Sequence, residues 1–261
     1  MPFYDYDKRT YSTVMTNAHF HDFHELYYLE HGRTKYFIGN KIYFLEEGDM
    51  AFIPKGIFHK TSNEDNQLVE RHIFGFKDDF VGDYYMPYVE ELRKFNYIKF
   101  PSEQVHRITD ITRKIAHEAK YRQEGYVEMQ KLYLRQLLIL ISRFRLADSQ
   151  DTSNALHNII QEAVTYISKN VSADLSLQTL ALKYNVSPNY FSKQFKSLTG
   201  IGLNEYINIA RVTAAEKILI KTNKPITEVA LECGFNDSNY FAAVFKKLKG
   251  VTPKKYSIQN S

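Results

Sequence analysis

Four side chains able to bind or polarise a small polar molecule fall early in this sequence. His19, His21 and Glu25 share parity, so on one extended strand all three point to the same face. Further on, the order is Gly48, Pro54, Gly56, His59 and Asn63. Imidazoles and a carboxylate on one face are the groups that grip a polar ligand. A second kind of chemistry sits near the C-terminus, where two stretches echo each other. LALKYNVSPNYFSKQFKSLTG runs from Leu180 to Gly200 and VALECGFNDSNYFAAVFKKLKG from Val229 to Gly250. Ala181 falls on Ala230 and Asn185 on Gly234; after a one-residue insertion, Tyr190-Phe191, Phe195-Lys196, Leu198 and Gly200 fall on Tyr240-Phe241, Phe245-Lys246, Leu248 and Gly250.

The elements that must position the first group read as strands. From His19 to about Phe76, short runs of Tyr, Phe, Ile and Val alternate with turn signals at His31-Gly32, Gly39-Asn40, Glu47-Gly48-Asp49, Pro54-Lys55-Gly56 and Asn63 to Asn66. This spacing predicts an antiparallel sandwich or small barrel, with Gly39-Asn40 as a two-residue hairpin turn. Residues 1–16 read as an arm or an edge strand, and His24, of opposite parity to His19, and His31 as surface or rim. The stretch from Phe80 to Phe100 shows no firm period.

After Pro101 the period turns helical. Val105, Ile108, Ile111, Ile115 and Ala119 make one stripe, whereas from Tyr126 to about Arg145 the apolar residues Leu132 to Leu134 and Leu137 to Ile141 cover more than one face. A helix apolar on two sides must bury both, one on the barrel and the other on a partner subunit, so a homodimer is expected, with burial within one subunit as the alternative. Residues 147–154 are polar and read as a linker. Beyond them a helix ends near Asn170, and each echoing stretch reads as helix, tight turn, helix. Asn185 and Gly234 are residue types that enter the left-handed conformation cheaply, and Ser187 with Pro188, or Asp237 or Ser238, start the next helix. Leu203 to Leu219 is expected to connect the two with Tyr206, Ile207, Ala210, Ala214 and Ile218 on its apolar side.

Composition limits the classes. With 261 residues, 44% hydrophobic and 25% charged, the chain has room for two globular domains. No apolar run reaches membrane length and no signal-peptide core opens the chain, so a cytoplasmic protein with no membrane partner is expected. The single cysteine, Cys233, precludes an intrachain disulfide and reads as a buried packing thiol. From Ala155 onward 13 Lys/Arg stand against 7 Asp/Glu, a net of +6 in a chain whose total is +4. The basic excess therefore lies in the half with the repeated motif, where a polyanion needs it.

Residues 15–75 resemble the cupins, whose two motifs run G-x5-H-x-H-x3-4-E-x6-G and G-x5-P-x-G-x2-H-x3-N. The chain departs at the first glycine, where Thr13 stands. In metal-dependent cupins the positions of His19, His21, Glu25 and His59 hold a divalent metal, and that donor set suits Zn, Fe, Mn or Ni. A barrel turned sensor keeps the same residues as a metal-free polar pocket; this reading is preferred, with no cofactor favoured, and a metal site or purely structural histidines are the alternatives.

The last hundred residues resemble the AraC/XylS family of bacterial transcription regulators. Ala210-Arg211, Ile226-x-x-Val229-Ala230-x-x-x-Gly234-Phe235, Asn239-Tyr240-Phe241-x-x-x-Phe245-Lys246 and Gly250-x-Thr252-Pro253-x-x-Tyr256 carry the match. The resemblance implies an α+β chain: an N-terminal antiparallel β-barrel over 1–100, a helical dimerisation segment over 101–146, the linker, and an all-α DNA-binding domain over 155–261. Its two helix-turn-helix motifs would span about 175–200 and 225–250. The implied base readers are Asn189, Ser192 and Lys193 in the first motif and Ser238, Asn239, Ala242 and Ala243 in the second, where the family commonly has a basic residue at Ala243. Tyr190, Lys196, Arg211, Lys246 and Lys247 are the implied backbone contacts, and Phe191, Phe195, Phe241 and Phe245 belong to the core. The implied function is a non-enzymatic regulator acting on promoter DNA and RNA polymerase under a small-molecule effector, a sugar being suggested by the Tyr- and His-rich pocket. The competing reading is a metal-dependent cupin enzyme fused to a DNA-binding domain.

Overall fold

The computed structural model describes residues 3–9, 21–62, 68–146 and 155–260. The bulk of residues 1–151 forms one compact unit and the bulk of 152–261 a second.

Among the described residues up to Phe100, eight strands make two antiparallel sheets. They are β1 (Phe3–Arg9), β2 (His24–His31), β3 (Thr34–Ile38), β4 (Lys41–Leu45), β5 (Met50–Ile53), β6 (His59–Ser62), β7 (Val69–Phe76) and β8 (Tyr97–Ile98). The larger sheet has the order β1-β7-β2-β5-β8 and the smaller β4-β3-β6. β1 is thus an edge strand, and Gly39-Asn40 forms the expected turn, with Gly39 at φ 61°. The expected closed barrel is corrected to two facing sheets among the described residues, because the larger sheet buries both of its faces. Tyr27, Leu29, Ala51 and Ile53 meet Tyr36, Ile38, Tyr43 and Leu45 of the smaller sheet. Leu26, Tyr28, Phe52 and Phe74 point the other way, into a core shared with helices. A sheet sandwiched in this way forms the middle layer of three.

The helices of that third layer are α1 (Asp78–Val81), α2 (Met86–Leu92), α3 (Ser102–Tyr121) and α4 (Tyr126–Phe144), with a 3-10 turn at Asp83–Tyr85. The stretch without a readable period therefore contains α1, α2 and β8, each too short to repeat a pattern. Ile108, Ile111 and Ile115 of α3 pack with Leu134, Leu137, Leu138 and Ile141 of α4. The two-sided apolar character of α4 is thus largely met within the chain, and Leu132 is left 54% exposed.

From Ala155 onward the elements among the described residues are helices: α5 (Ala155–Lys169), α6 (Leu177–Lys183), α7 (Pro188–Thr199), α8 (Leu203–Lys221), α9 (Ile226–Glu232), α10 (Ser238–Lys249) and α11 (Pro253–Asn260). α8 differs from its one-sided expectation. Tyr206, Ile207 and Ala210 are buried, but so are Ile209, Val212, Ala215 and Leu219. It packs against α5 and α7 as well as α9, α10 and α11, so two helix-turn-helix units share it as a common spine.

Candidate nucleic-acid interface and the histidine–glutamate cluster

In the first unit, His21, Glu25 and His59 converge so that one donor atom from each lies within 4.8 Å of the others. They arrive by different routes. Glu25 is the second residue of β2 and His59 the first of β6, whereas His21 precedes β2 in a bend. Strand parity is therefore not what unites His21 with Glu25, and His19 lies outside the described residues. His21 Nδ1 donates to the Phe23 carbonyl at 2.7 Å and His59 Nδ1 to that of Ile57 at 2.9 Å. With Nδ1 committed to a carbonyl, each ring leaves Nε2 for the cluster, an acceptor when the ring is neutral and a donor when it is protonated. His21 Nε2 lies 3.3 Å from Glu25 Oε2, a pairing that needs a proton or a cation between them. The other carboxylate oxygen accepts from the Tyr36 hydroxyl at 2.8 Å.

Burial alone would push the Glu25 carboxyl up, but the hydrogen bond with His21, the field of His59 and the Tyr36 hydroxyl outweigh it and hold the group below its usual value. Tyr36 moves well above the ordinary phenol range, through burial first and then Glu25, and remains a donor. Tyr36 went unrecognised in the sequence because it is one of 20 tyrosines. The donor set fits a divalent cation: about 2 Å bonds from a tetrahedral ion place ligand atoms about 3.3 Å apart, and backbone-anchored Nδ1 groups hold both Nε2 atoms in orientation.

His24 corrects the surface-or-rim expectation. It is 0% exposed, on the opposite face of the sheet, between Phe52 and Phe76. Its Nε2 donates to Asp78 Oδ1 at 2.7 Å while Nδ1 accepts from the Lys55 amide at 3.2 Å. His31 is exposed beside Glu47.

In the second unit the two motifs are built alike. Phe191, Phe195, Phe241 and Phe245 are each 0% exposed, and Ala181 and Ala230 are 1% exposed where the helices cross. In the first turn Asn185 takes φ 53° and the Val186 amide donates to the Ala181 carbonyl at 3.0 Å. In the second Gly234 takes φ 84° and the Phe235 amide donates to the Ala230 carbonyl at 2.9 Å. Ser187 Oγ accepts from the Tyr190 amide at 3.3 Å, and Asp237 Oδ1 accepts from the Asn239 amide at 2.7 Å and the Tyr240 amide at 3.4 Å. These caps orient the N-terminal turns of α7 and α10.

On the outer faces, Asn189, Lys193, Lys196, Asn239, Ala243, Lys246 and Lys247 are exposed, and Ser192, Ser238 and Ala242 are half-buried. Tyr190 is exposed; Tyr240 is too, and its hydroxyl accepts from Asn208 Nδ2 at 2.8 Å. Arg211 is turned inward: its Nε donates to the Val171 carbonyl at 3.0 Å and its guanidinium lies over the Phe235 ring. Cys233 is buried, which pushes its thiol up to about 11.

Two helix-turn-helix units on a shared spine, each with a capped outward second helix, is the arrangement of a DNA-binding helix-turn-helix pair. The profile of the family described as AraC-like ligand binding domain matches residues 5–183, and that of a helix-turn-helix domain matches 180–258. The chain belongs to the AraC family of transcription regulators. The HTH-type transcriptional activator RhaR of Enterobacter sp. (strain 638) is 24% identical over 244 residues, spanning 91% of this chain and 86% of that protein. RhaR of Salmonella dublin is 22% identical over 241 residues with the same coverage, 91% and 86%. Among solved structures, the C-terminal domain of AraT, a response regulator from Geobacillus stearothermophilus, is 36% identical over 41% of this chain and 88% of its own, with a TM-score of 0.39. ToxT from Vibrio cholerae is 13% identical over 100% of this chain and 99% of its own, with a TM-score of 0.39. This AraC-family protein joins a ligand-binding domain to a DNA-binding helix-turn-helix domain and regulates transcription under ligand control. No helix among the described residues is long and apolar enough to cross a membrane.

Proposed function

We propose that the protein is an effector-responsive activator that binds a promoter as a homodimer, in the cytoplasm, and acts on RNA polymerase without catalysing a reaction. The observation that carries this reading is the pair of capped, outward helices α7 and α10 on the single spine α8. Asn189, Ser192 and Lys193 serve as base readers of α7, and Ser238, Asn239, Ala242 and Ala243 as those of α10; Asn suits adenine and Lys guanine. Tyr190, Lys196, Lys246 and Lys247 serve the phosphates, and Arg211 holds the second turn in place. Leu132 on α4 is the anchor offered to the partner copy.

The effector is a small polyhydroxylated molecule, a sugar or its like, held by His21, Glu25, Tyr36 and His59. A divalent ion on the same His21, Glu25 and His59 supplies, when bound, a coordination position for an effector oxygen. The test is a selection of duplexes from a random pool, followed by binding to all single-base variants with and without a panel of sugars. Penalties of roughly 1–3 kcal/mol at adenine and guanine positions under α7, together with affinity that shifts with one effector, are expected. A chelator that abolishes the shift assigns the metal a role, and turnover of an effector by the metal-loaded protein would favour the enzyme reading instead.

A further inference from the structure

The internal repeat runs beyond the helix-turn-helix units, and it breaks in a patterned way. One constant offset aligns α7 with α10, the left-handed caps Gly200 (φ 75°) and Gly250 (φ 77°), and the first turns of α8 and α11, which begin at Leu203 and Pro253. Tyr206 falls on Tyr256, and both turn inward: Tyr206 packs on Phe195 and Tyr256 on Phe245. C-terminal to the reading positions, four exposed positions correspond on this common scaffold. They are Lys196, Ser197, Asn204 and Glu205 in the first half and Lys246, Lys247, Lys254 and Lys255 in the second. Their net charge is zero in the first half and +4 in the second. The reading positions change in the opposite sense, because Ser192 and Lys193 become Ala242 and Ala243.

From Ser238 to the end the chain carries five lysines and no acidic residue. One of them, Lys249, is used internally on Glu216 of α8 at 2.6 Å. The other four point outward from a rigid base. Pro253 is buried, the Tyr256 hydroxyl donates to Glu216, Ser257 Oγ donates to the Leu219 carbonyl at 3.2 Å, and Thr252 Oγ1 accepts from the Lys255 amide at 3.3 Å. α11 is thereby fixed to α8 on one side, and Lys254 and Lys255 are exposed.

We infer that the second helix-turn-helix half is the electrostatic anchor of DNA binding: Lys246, Lys247, Lys254 and Lys255 grip duplex phosphates whatever the sequence, while most of the base discrimination falls to the first half. This rests on α7 and α10 being the helices that enter the grooves. An alanine-faced reader has little to say about base identity, and four cations with no ion pair among the described residues have much to gain from a polyanion.

The experiment uses the full chain and two duplexes, one of arbitrary sequence and one selected by the wild-type protein from a random pool, with binding followed by fluorescence anisotropy over a salt series. The double change Lys254→Asn, Lys255→Glu installs residues that the same scaffold already carries at Asn204 and Glu205. Each phosphate contact contributes about 0.9 to the slope of log K against log salt, so the slope should fall by about 2 and both duplexes should lose affinity by the same factor, about tenfold or more at low salt. Single-base penalties should not move, and the single change Lys255→Gln should lower the slope by about 1. The reciprocal change Asn204→Lys, Glu205→Lys should raise the slope. Circular dichroism and melting of each variant exclude a folding defect. An unchanged slope, or a loss confined to the selected duplex, overturns the anchor. A wild-type protein that binds both duplexes alike overturns instead the base-reading role given to α7, and leaves the slope comparison to judge the anchor.

Discussion

Behind the strands of the first unit lie His24, Glu25, Lys35, Asp49, His59, Lys60, Arg71 and His72, none more than 8% exposed. In the helical unit, Thr199 is the one polar residue at that depth among the described residues. Both interiors are closely packed, yet they suit different tasks. A buried ionisable group changes its charge state or its partner when a ligand or a proton arrives, so an interior rich in such groups can respond. A core of Phe191, Phe195, Phe241 and Phe245 has no such response, and it holds two outward helices at a fixed spacing, as groove reading demands. The division between sensor and reader is thus written into what each unit buries.

The largest test of that contrast is in the apolar core. Phe245→Ala should cost the helical unit about 3–5 kcal/mol and abolish DNA binding, while the sheet unit keeps its own unfolding transition in a denaturant titration. If the two transitions move together, the units do not melt independently. Next comes the charged interior, where Glu25→Ala removes the acceptor of Tyr36 and the partner of His21. It should cost about 3 kcal/mol in the sheet unit alone and end the effector response with DNA binding intact. A variant of full stability would mean that Glu25 is held for binding only.

Within the reader, the two turns should differ. A Cβ on Gly234 would stand 2.4 Å from the Val171 carbonyl oxygen and 3.0 Å from Arg211 Nε. Gly234→Ala should therefore destabilise by about 2–3 kcal/mol, against about 1 kcal/mol for Asn185→Ala, a residue already carrying a Cβ at φ 53°. Equal losses, measured by thermal unfolding, would show that backbone conformation matters and the Val171 approach does not.

The smallest effect is a pH dependence confined to the sensor. Burial holds the imidazoles of both His24 and His72 below their usual value, with Asp78 and Glu30 respectively pulling the other way. The unfolded chain therefore takes up these protons first as the pH falls. Their contribution to stability is complete above about pH 6.5 and shrinks as the pH drops toward the depressed native values. The sheet transition should weaken over that window while the helical one stays level, and a helical transition that weakens equally would remove the contrast.

The reader was nearly all legible in advance. Ser187, Pro188, Asn185 and Gly234 act through their immediate neighbours in the chain, so caps and turns follow from residue type, and the repeat doubled the signal. α8 was less so: its residues Val212, Ala215 and Leu219 fall outside the single apolar stripe, because a helix gripped by two motifs needs more than one buried face. In the sensor the residue types were legible and their placement was not. His21 and Glu25 were joined by parity on a strand that in fact begins at His24.

Local conformation and short-range period were enough to read the helix starts and stops, the hairpin at Gly39-Asn40, the phenylalanine faces, and the basic bias of the C-terminal half. Only the tertiary structure decided that the larger sheet lies between a second sheet and a helical layer, which sends His24 inward to Asp78. It also decided that Tyr36 and His59, from other strands, complete the cluster begun by His21 and Glu25. Those outcomes depend on which strand pairs with which and which face is covered, and a one-dimensional pattern of apolar residues is the same whether a face is covered by a strand, a helix or a second copy of the chain.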